Sequence, residues 1–182
     1  AGQGLGCSMG LRAERGDGRD SLELGWGGGA LTVGMGEHFP GARITAVSNS
    51  RRQRLHIEAQ CKARGLNNVR VITCDVNQLE LDSSAFDHVV SIEMFEHMRN
   101  YPQLLQRIHR WLRPEGKLFV HIFVHRTLMY PFETEGDDNW PGRHFFTGGL
   151  IPAADTPPFF QPPLPLQLRL LLHGPPSPPP PT

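Results

Sequence analysis

Ser91-Ile-Glu-Met-Phe-Glu-His-Met98 is the end of a short apolar strand that stops in two carboxylates and an imidazole. Upstream, Leu22-Glu-Leu-Gly-Trp-Gly-Gly-Gly29 is a strand that ends in a glycine loop before a helix candidate. In an α/β sheet both segments open at the carboxyl ends of parallel strands, where such folds bind ligands. One segment is suited to hold a nucleotide-like cofactor, the other to do acid–base chemistry beside it. Together they predict an enzyme.

Working outward, the hydrophobic period alternates as an α/β fold requires. Ser21–Leu24 is a brief strand, and a helix is expected from Ala30 to His38. Pro40-Gly41 turns the chain into Arg43–Val47, rich in β-branched residues. Ser48-Asn49-Ser50 supplies the N-cap of a helix over Arg51–Arg64, closed by Gly65. Asn67-Asn68 turns into the strand Val69–Thr73, which ends in Cys74-Asp75. Phe86–Ile92 is a fourth strand. Tyr101–Leu112 is amphipathic, with Leu104, Leu105, Ile108, Trp111 and Leu112 on one face. Pro114-Glu115-Gly116 then turns into a long fifth strand, Lys117–Val124. Five strands separated by helices predict right-handed crossovers and a mostly parallel sheet, a three-layer α/β/α Rossmann-like core.

The chain of 182 residues suffices for one domain. Its formal net charge of zero argues against nucleic acid as a partner. Cys7, Cys61 and Cys74 are odd in number and lack C-x-x-C spacing, so neither a disulfide framework nor a metal site is expected, and the cytoplasm is the expected compartment. The longest apolar runs fall short of a membrane span, so stable membrane insertion is not expected. Thirteen of the 20 glycines fall in residues 1–41 and twelve of the 17 prolines in residues 152–182. Residues 1–20 are therefore expected outside the fold, 21–155 as the folded domain, and 156–182 as a proline-rich tail in polyproline II or disorder. For that tail a non-native end is favoured over a ligand for a partner domain.

Gly25, Gly27 and Gly29 sit at alternate positions after Glu23, where missing Cβ atoms let backbone N–H groups approach a ligand. Three readings compete. The first is a flexible loop in a glycine-biased segment. The second is a dinucleotide fingerprint, since Gly25-x-Gly27-x-x-Ala30 fits G-x-G-x-x-[G/A]. The second strand then ends in Val47-Ser-Asn-Ser50 rather than in an acid, so only NADP, held by Arg51 and Arg52, suits that reading. The third is an S-adenosylmethionine loop of the type E-x-G-x-G-x-G, with Glu23 as its acid. Asp75, at the end of the third strand, is then available to an adenine amino group. Asp75 and the fourth-strand motif together favour the third reading.

Glu93 terminates the fourth strand, and Glu96 and His97 follow by three and four residues. A helical turn there projects all three to one side. A histidine beside carboxylates is a suitable general base, and carboxylates stabilise a cation. Both properties suit transfer from a sulfonium to an amine. The alternative is that Glu96-His97 merely begins a solvated helix. His121 and His125 fail as a zinc pair, because residues four apart on a strand lie about 13 Å from each other. His121 faces either the pocket or the core. Phe132, Trp140, Phe145 and Phe146 are candidates for a lid over an apolar substrate, with ordinary packing as the alternative.

From Ala42 to about Asp155 the chain strongly resembles the coclaurine N-methyltransferase-like branch of the cyclopropane-fatty-acid synthase superfamily, class I S-adenosylmethionine-dependent enzymes. The resemblance is carried by Ile44-Thr-Ala-Val-Ser-Asn-Ser50, Cys74-Asp75, Ser91-Ile-Glu-Met-Phe-Glu-His-Met98, Leu118-Phe-Val-His121, Asp137-Asp-Asn-Trp140 and Arg143-His-Phe-Phe-Thr-Gly-Gly149. It implies that Gly25, Gly27 and Gly29 line the methionine and ribose part of S-adenosylmethionine. It further implies that Ser48, Asn49, Ser50 and Gln53 lie near the ribose, and Asp75 and Val76 near the adenine. Glu93, Glu96 and His97 match the residues around the reacting amine. In the lipid-cyclopropanating members, the matches to Glu96 and His121 belong to a bicarbonate site.

The departures from the family are informative. Its loop reads G-C-G-W-G, against Gly25-Trp-Gly-Gly-Gly29 here, and the missing cysteine contributes to the bicarbonate site. Methyl transfer to a small amine is therefore expected ahead of methylene transfer to an unsaturated lipid acyl chain. The family's helical N-terminal region and C-terminal cap, where acceptor specificity largely lies, are expected to be missing. More distant expectations are an NADP-dependent reductase and an inactive binding module.

Overall fold

The computed structural model describes residues 18–25, 27–122, 124–131 and 149–153, together with the backbone of 167–170. Trp26 and the lid candidates Phe132, Trp140, Phe145 and Phe146 lie outside the described residues.

The elements follow the hydrophobic pattern closely. They are β1 (Asp20–Leu24), α1 (Ala30–His38), β2 (Arg43–Ser48), α2 (Arg51–Ala63), β3 (Val69–Thr73) and β4 (Phe86–Ile92). A 3-10 turn at Phe95–His97 precedes α3 (Tyr101–Trp111), β5 (Leu112–His121), β6 (Tyr130–Pro131), β7 (Leu150–Ile151) and β8 (Gln167–Leu170). The main sheet has the order β3-β2-β1-β4-β5-β8, and every pairing in it is parallel. The order reverses between β1 and β4. That is the switch point where the connections diverge and leave a crevice at the carboxyl ends of the strands. β6 and β7 form a small separate antiparallel pair.

Both faces of the sheet are covered, as a parallel sheet requires. Alternate residues of one strand point to opposite layers. Val89, Leu118 and Val120 thus join the cluster beneath α3, which buries Tyr101, Leu104, Leu105, Ile108 and Trp111. Val90 and Phe119 face the other way, toward Leu31 and Met35 of α1. Ile57 and Cys61 anchor α2 beside Val33 and Ala46. The Ser50 cap forms as expected, its side chain accepting from the Gln53 amide at 3.3 Å.

Three expectations about the elements need correction. First, residues 74–85 between β3 and β4 contain turns and no helix. Second, β5 begins at Leu112 and ends at His121 rather than spanning Lys117–Val124. Its first pairing is Phe86 with Leu112 and the next is His88 with Lys117, so β4 advances two residues while β5 advances five. Pro114 and Glu115, the latter at φ 64°, loop out of register there. β5 stops where β4 stops, because Ile92 pairs with His121 and, among the described residues, no partner continues beyond it. His125 is outside the strand and bridges to Ala153. Third, part of the proline-rich segment joins the sheet. Gln167–Leu170 is a proline-free stretch, and the exposed edge of β5 offers it unpaired backbone groups.

Candidate active site

Each strand of the switch point delivers its last residues to one cleft. β1 ends at Leu24, and the Gly25 amide donates to the Val47 carbonyl at 3.0 Å, tying the loop to β2. Gly25 adopts φ +71°, and a Cβ there would overlap Met94 Cβ and Cγ. Gly29 caps α1 at φ +77°, and a Cβ there would overlap the Ile57 side chain. Any other residue at either position would meet both strain and collision. Gly27 also has a positive φ, but space is open around it.

Glu23 does not enter the cleft. It is 1% exposed, and its Oε2 accepts from the Thr32 hydroxyl of α1 at 2.7 Å. The expected cofactor-binding acid is instead a buried strut joining the strand before the glycine loop to the helix after it. A polar group so buried is retained where it is hydrogen-bonded.

At the end of β2, Ser48 Oγ donates to Gln53 Oε1 at 3.1 Å and accepts from the Ser50 amide at 3.2 Å. Ser48, Asn49 and Gln53 line the cleft, whereas the Ser50 hydroxyl is used as the helix cap. The Cys74 amide donates to the Ser48 carbonyl at 2.9 Å, which holds the ends of β2 and β3 together. Asp75 Oδ1 accepts from the backbone and side-chain nitrogens of Asn77, at 2.9 and 3.0 Å. This Asx turn fixes the carboxylate at the rim. Asn100, before α3, braces it by donating to Asn77 Oδ1 at 2.9 Å.

β4 ends in a strained residue. Glu93 has φ 51°, a left-handed conformation uncommon for a side chain of this kind. Its amide donates to the His121 carbonyl at 2.9 Å, and its Oε1 lies 2.8 Å from His121 Nδ1. Burial pushes the Glu93 carboxyl above its ordinary range, and a side-chain hydrogen bond with Glu96 partly offsets this. A hydrogen bond between two carboxyls requires a proton on one of them.

The expectation that Glu93, Glu96 and His97 project to one side is corrected by the 3-10 turn. Phe95 and Glu96 are 0% exposed, while His97 faces outward at the cleft. The Tyr101 hydroxyl donates to the Phe95 carbonyl at 2.9 Å, and the two rings stack at 5.7 Å. Burial and the neighbouring Glu96 push the Tyr101 hydroxyl's pKa upward. The protein around His97 disfavours its cation and lowers its pKa below the usual value. Neutral imidazole is therefore the form presented near pH 7.

The cleft has a volume of about 570 Å³. Of the residues expected to form a site, Gly25, Gly27, Ser48, Asn49, Gln53, Asp75, Val76, Glu93 and His97 line it. Glu23, Gly29, Ser50, Glu96 and His121 do not, although His121 and Glu96 each reach Glu93. Sequence reasoning missed Leu24, Val47, Cys74, Asn77, Met94 and Met98, which complete the lining. The last two flank the Glu96-His97 pair in the stretch that opened the reading, so their spacing carried a signal. A second cavity, of about 450 Å³, lies between α1 and α2 and includes Gly29, His38 and His56. It contains no residue from the ends of β2, β3 or β4. Among the described residues no group of three His, Cys, Asp or Glu side chains is arranged to hold a metal ion. No helix among them is long and apolar enough to cross a membrane.

Residues 22–120 match the family described as Methyltransferase domain. The (S)-coclaurine N-methyltransferase of Thalictrum flavum subsp. glaucum is 37% identical over 152 residues, covering 82% of this chain and 42% of the relative. The pavine N-methyltransferase of the same plant is 33% identical over 140 residues, covering 77% and 39%. A crystal structure of coclaurine N-methyltransferase bound to N-methylheliamine and SAH superposes with a TM-score of 0.79 at 35% identity, covering 88% of this chain and 48% of that one. The [4+2]-cyclase SpnF superposes at 0.72 with 23% identity, covering 87% and 55%, and shows the fold alone. The chain thus spans less than half the length of these two N-methyltransferases. It belongs to the methyltransferase-domain family, and the dinucleotide reading of the glycine loop is set aside.

Proposed function

We propose that this methyltransferase-family chain binds S-adenosylmethionine in the strand-end cleft and methylates the nitrogen of a small amine. The observation that carries this reading is that Glu93 and His97 line the same cleft as Gly25, Gly27 and Asp75. The N-methyltransferases among its relatives support an amine as the acceptor.

The residues present suit the cofactor. Gly25 and Gly27 leave backbone bare beside the cleft, and the cleft's volume falls within the range of about 300–1,000 Å³ found for small-molecule sites. Asp75 commits Oδ1 to its Asx turn, while Oδ2 is available to an amino group. Gln53 and Asn49 offer amides for hydroxyls, the role usually filled by an acid near a ribose. Bound there, S-adenosylmethionine supplies a methyl group activated on a sulfonium.

The chain's own part is acid–base work. His97, neutral because its surroundings disfavour the cation, accepts a proton from the amine nitrogen. Glu93 pairs with the ammonium form and orients it. Glu96, buried behind Glu93, acts through it rather than on the amine directly. The free thiols of Cys61 and Cys74 support a reducing, cytoplasmic setting.

Titration of the chain with S-adenosylhomocysteine by calorimetry, with NADPH as control, tests the cofactor. A panel of small amines, coclaurine among them, then tests the reaction. Micromolar binding, about −8 kcal/mol, and turnover that falls about a hundredfold or more in His97→Ala are expected. Absence of S-adenosylhomocysteine binding overturns the reading.

A further inference from the structure

We infer that His121 is a positioning residue that aims the Glu93 carboxyl into the cleft. The inference deepens the proposed amine site and rests on that reading. His121 itself does not line the cleft, so it reaches a bound amine only through Glu93.

Two contacts between the same pair of residues carry the argument. The Glu93 amide donates to the His121 carbonyl at 2.9 Å, and the Glu93 carboxyl lies 2.8 Å from His121 Nδ1. The first fixes the backbone of Glu93 to the last residue of β5, in line with the Ile92–His121 pairing. The second fixes its side chain. Glu93 needs both, because its φ of 51° is unfavourable and persists only where the surroundings over-determine it. The chain leaves β4 by an abrupt left-handed step, and that step turns the carboxyl out of the sheet. The His121 side chain is 17% exposed and is held by strand pairing on β5, so it is a rigid anchor.

The contact also sets an imidazole nitrogen beside the carboxyl whose protonation matters to the cleft. Among the described residues, the titratable groups facing it are Glu96 and His97 from the 3-10 turn, His121 from β5, and Asp75 and Cys74 across the cleft. The Tyr101 hydroxyl of α3 lies behind Glu96. Burial raises the Glu93 carboxyl and the hydrogen bond with Glu96 lowers it, while a proton on His121 Nδ1, 2.8 Å from Glu93 Oε1, would favour the ionised form. An ionised Glu93 attracts an ammonium, whereas a protonated one does not.

The test compares the full chain with His121→Leu, which removes the donor, and His121→Asn, whose amide can occupy the place of Nδ1. Carbon-13 NMR of chain labelled at the glutamate carboxyls follows the titration of Glu93, its signal identified by loss in Glu93→Gln. In His121→Leu the Glu93 midpoint should rise by about one pH unit or more. His121→Asn should recover part of that rise. Turnover of an amine should fall about tenfold or more in the leucine variant and be rescued in the asparagine variant, while S-adenosylhomocysteine affinity stays within about twofold. An unchanged Glu93 midpoint in His121→Leu overturns the inference. So does an asparagine variant indistinguishable from the leucine variant. The NMR arm needs no turnover, so a chain that methylates no amine but shows the His121-dependent midpoint overturns the proposed reaction alone.

Discussion

Met94 lies directly against Gly25, so the acid–base turn after β4 rests on the backbone of the loop after β1. No side chain fits between them. Gly25→Ala should therefore destabilise the fold by about 2 kcal/mol or more, through left-handed strain and overlap with Met94, and should abolish S-adenosylhomocysteine binding. Gly27→Ala meets no neighbour within 4 Å but still carries the strain of φ +45°, so it should lose only about 1 kcal/mol, less than Gly25→Ala, while also losing affinity. Thermal melts and calorimetry on both variants check this. Equal stability losses would show that the contact with Met94 carries no energy.

The left-handed Glu93 sets stability against function. Glu93→Gly and Glu93→Ala both remove the carboxyl, but only glycine relieves the backbone. The glycine variant should be more stable than the alanine variant by about 1–2 kcal/mol in urea unfolding. Neither should turn over an amine at more than a small fraction of the parent rate. Identical unfolding midpoints would mean that Glu93 is not strained.

The lowered pKa of His97 predicts where activity begins. Burial disfavours the imidazolium, so the neutral base persists below the ordinary value of 6.5. The rising limb of kcat/KM against pH should therefore have its midpoint below that value, and it should disappear in His97→Ala. A midpoint above it would assign the proton acceptor to another group.

At the far end of the sheet, charge holds the strands together. Arg43 and Arg113 both bond Asp20, Arg113 also bonds Asp87 at 2.6 Å, and the Asp20 amide donates to Asp87 at 2.9 Å. The Arg43 hydrogen bond, opposed by burial and reinforced by Arg113, holds Asp20 below its ordinary range. Burial alone would raise Asp87, but the Asp20 amide and Arg113 outweigh it. Both groups therefore bind protons more weakly folded than unfolded. Their stabilisation is complete above the unfolded value near 3.8 and is lost as pH falls through the folded value. Arg113→Leu should raise the pH of acid unfolding while leaving S-adenosylhomocysteine affinity at neutral pH unchanged, since the cluster lies opposite the cleft. Circular dichroism against pH and calorimetry measure the two.

The chemistry written locally in the sequence was legible, and contacts made across it were not. Val69–Thr73 and Phe86–Ile92 form with the expected bounds, because an apolar run bounded by turn residues is a local signal. The Ser50 cap and the buried face of α3 were readable for the same reason. The outward turn of the Glu93 carboxyl was not, since it depends on His121, which is distant in sequence and meets it only through β4–β5 pairing. Glu23 and Glu96 belonged to the right motifs but were given the wrong direction. Spacing places a residue near a site, while rotation into core or cleft is decided by partners such as Thr32 and by the tightness of the 3-10 turn. The pairing of Gln167–Leu170 with β5 was hidden by the prolines around it.

The slipped register in β5 makes the strand two independently phased halves. Leu112 closes one pairing, Lys117–His121 form the other, and the exposed Pro114 and Glu115 lie in the slack between. Length can therefore change there without dragging His121 out of step with Ile92. Residues between 113 and 116 form a tolerance joint, where an inserted epitope or fluorophore tag would report on the protein while the cleft edge of the sheet keeps its alignment.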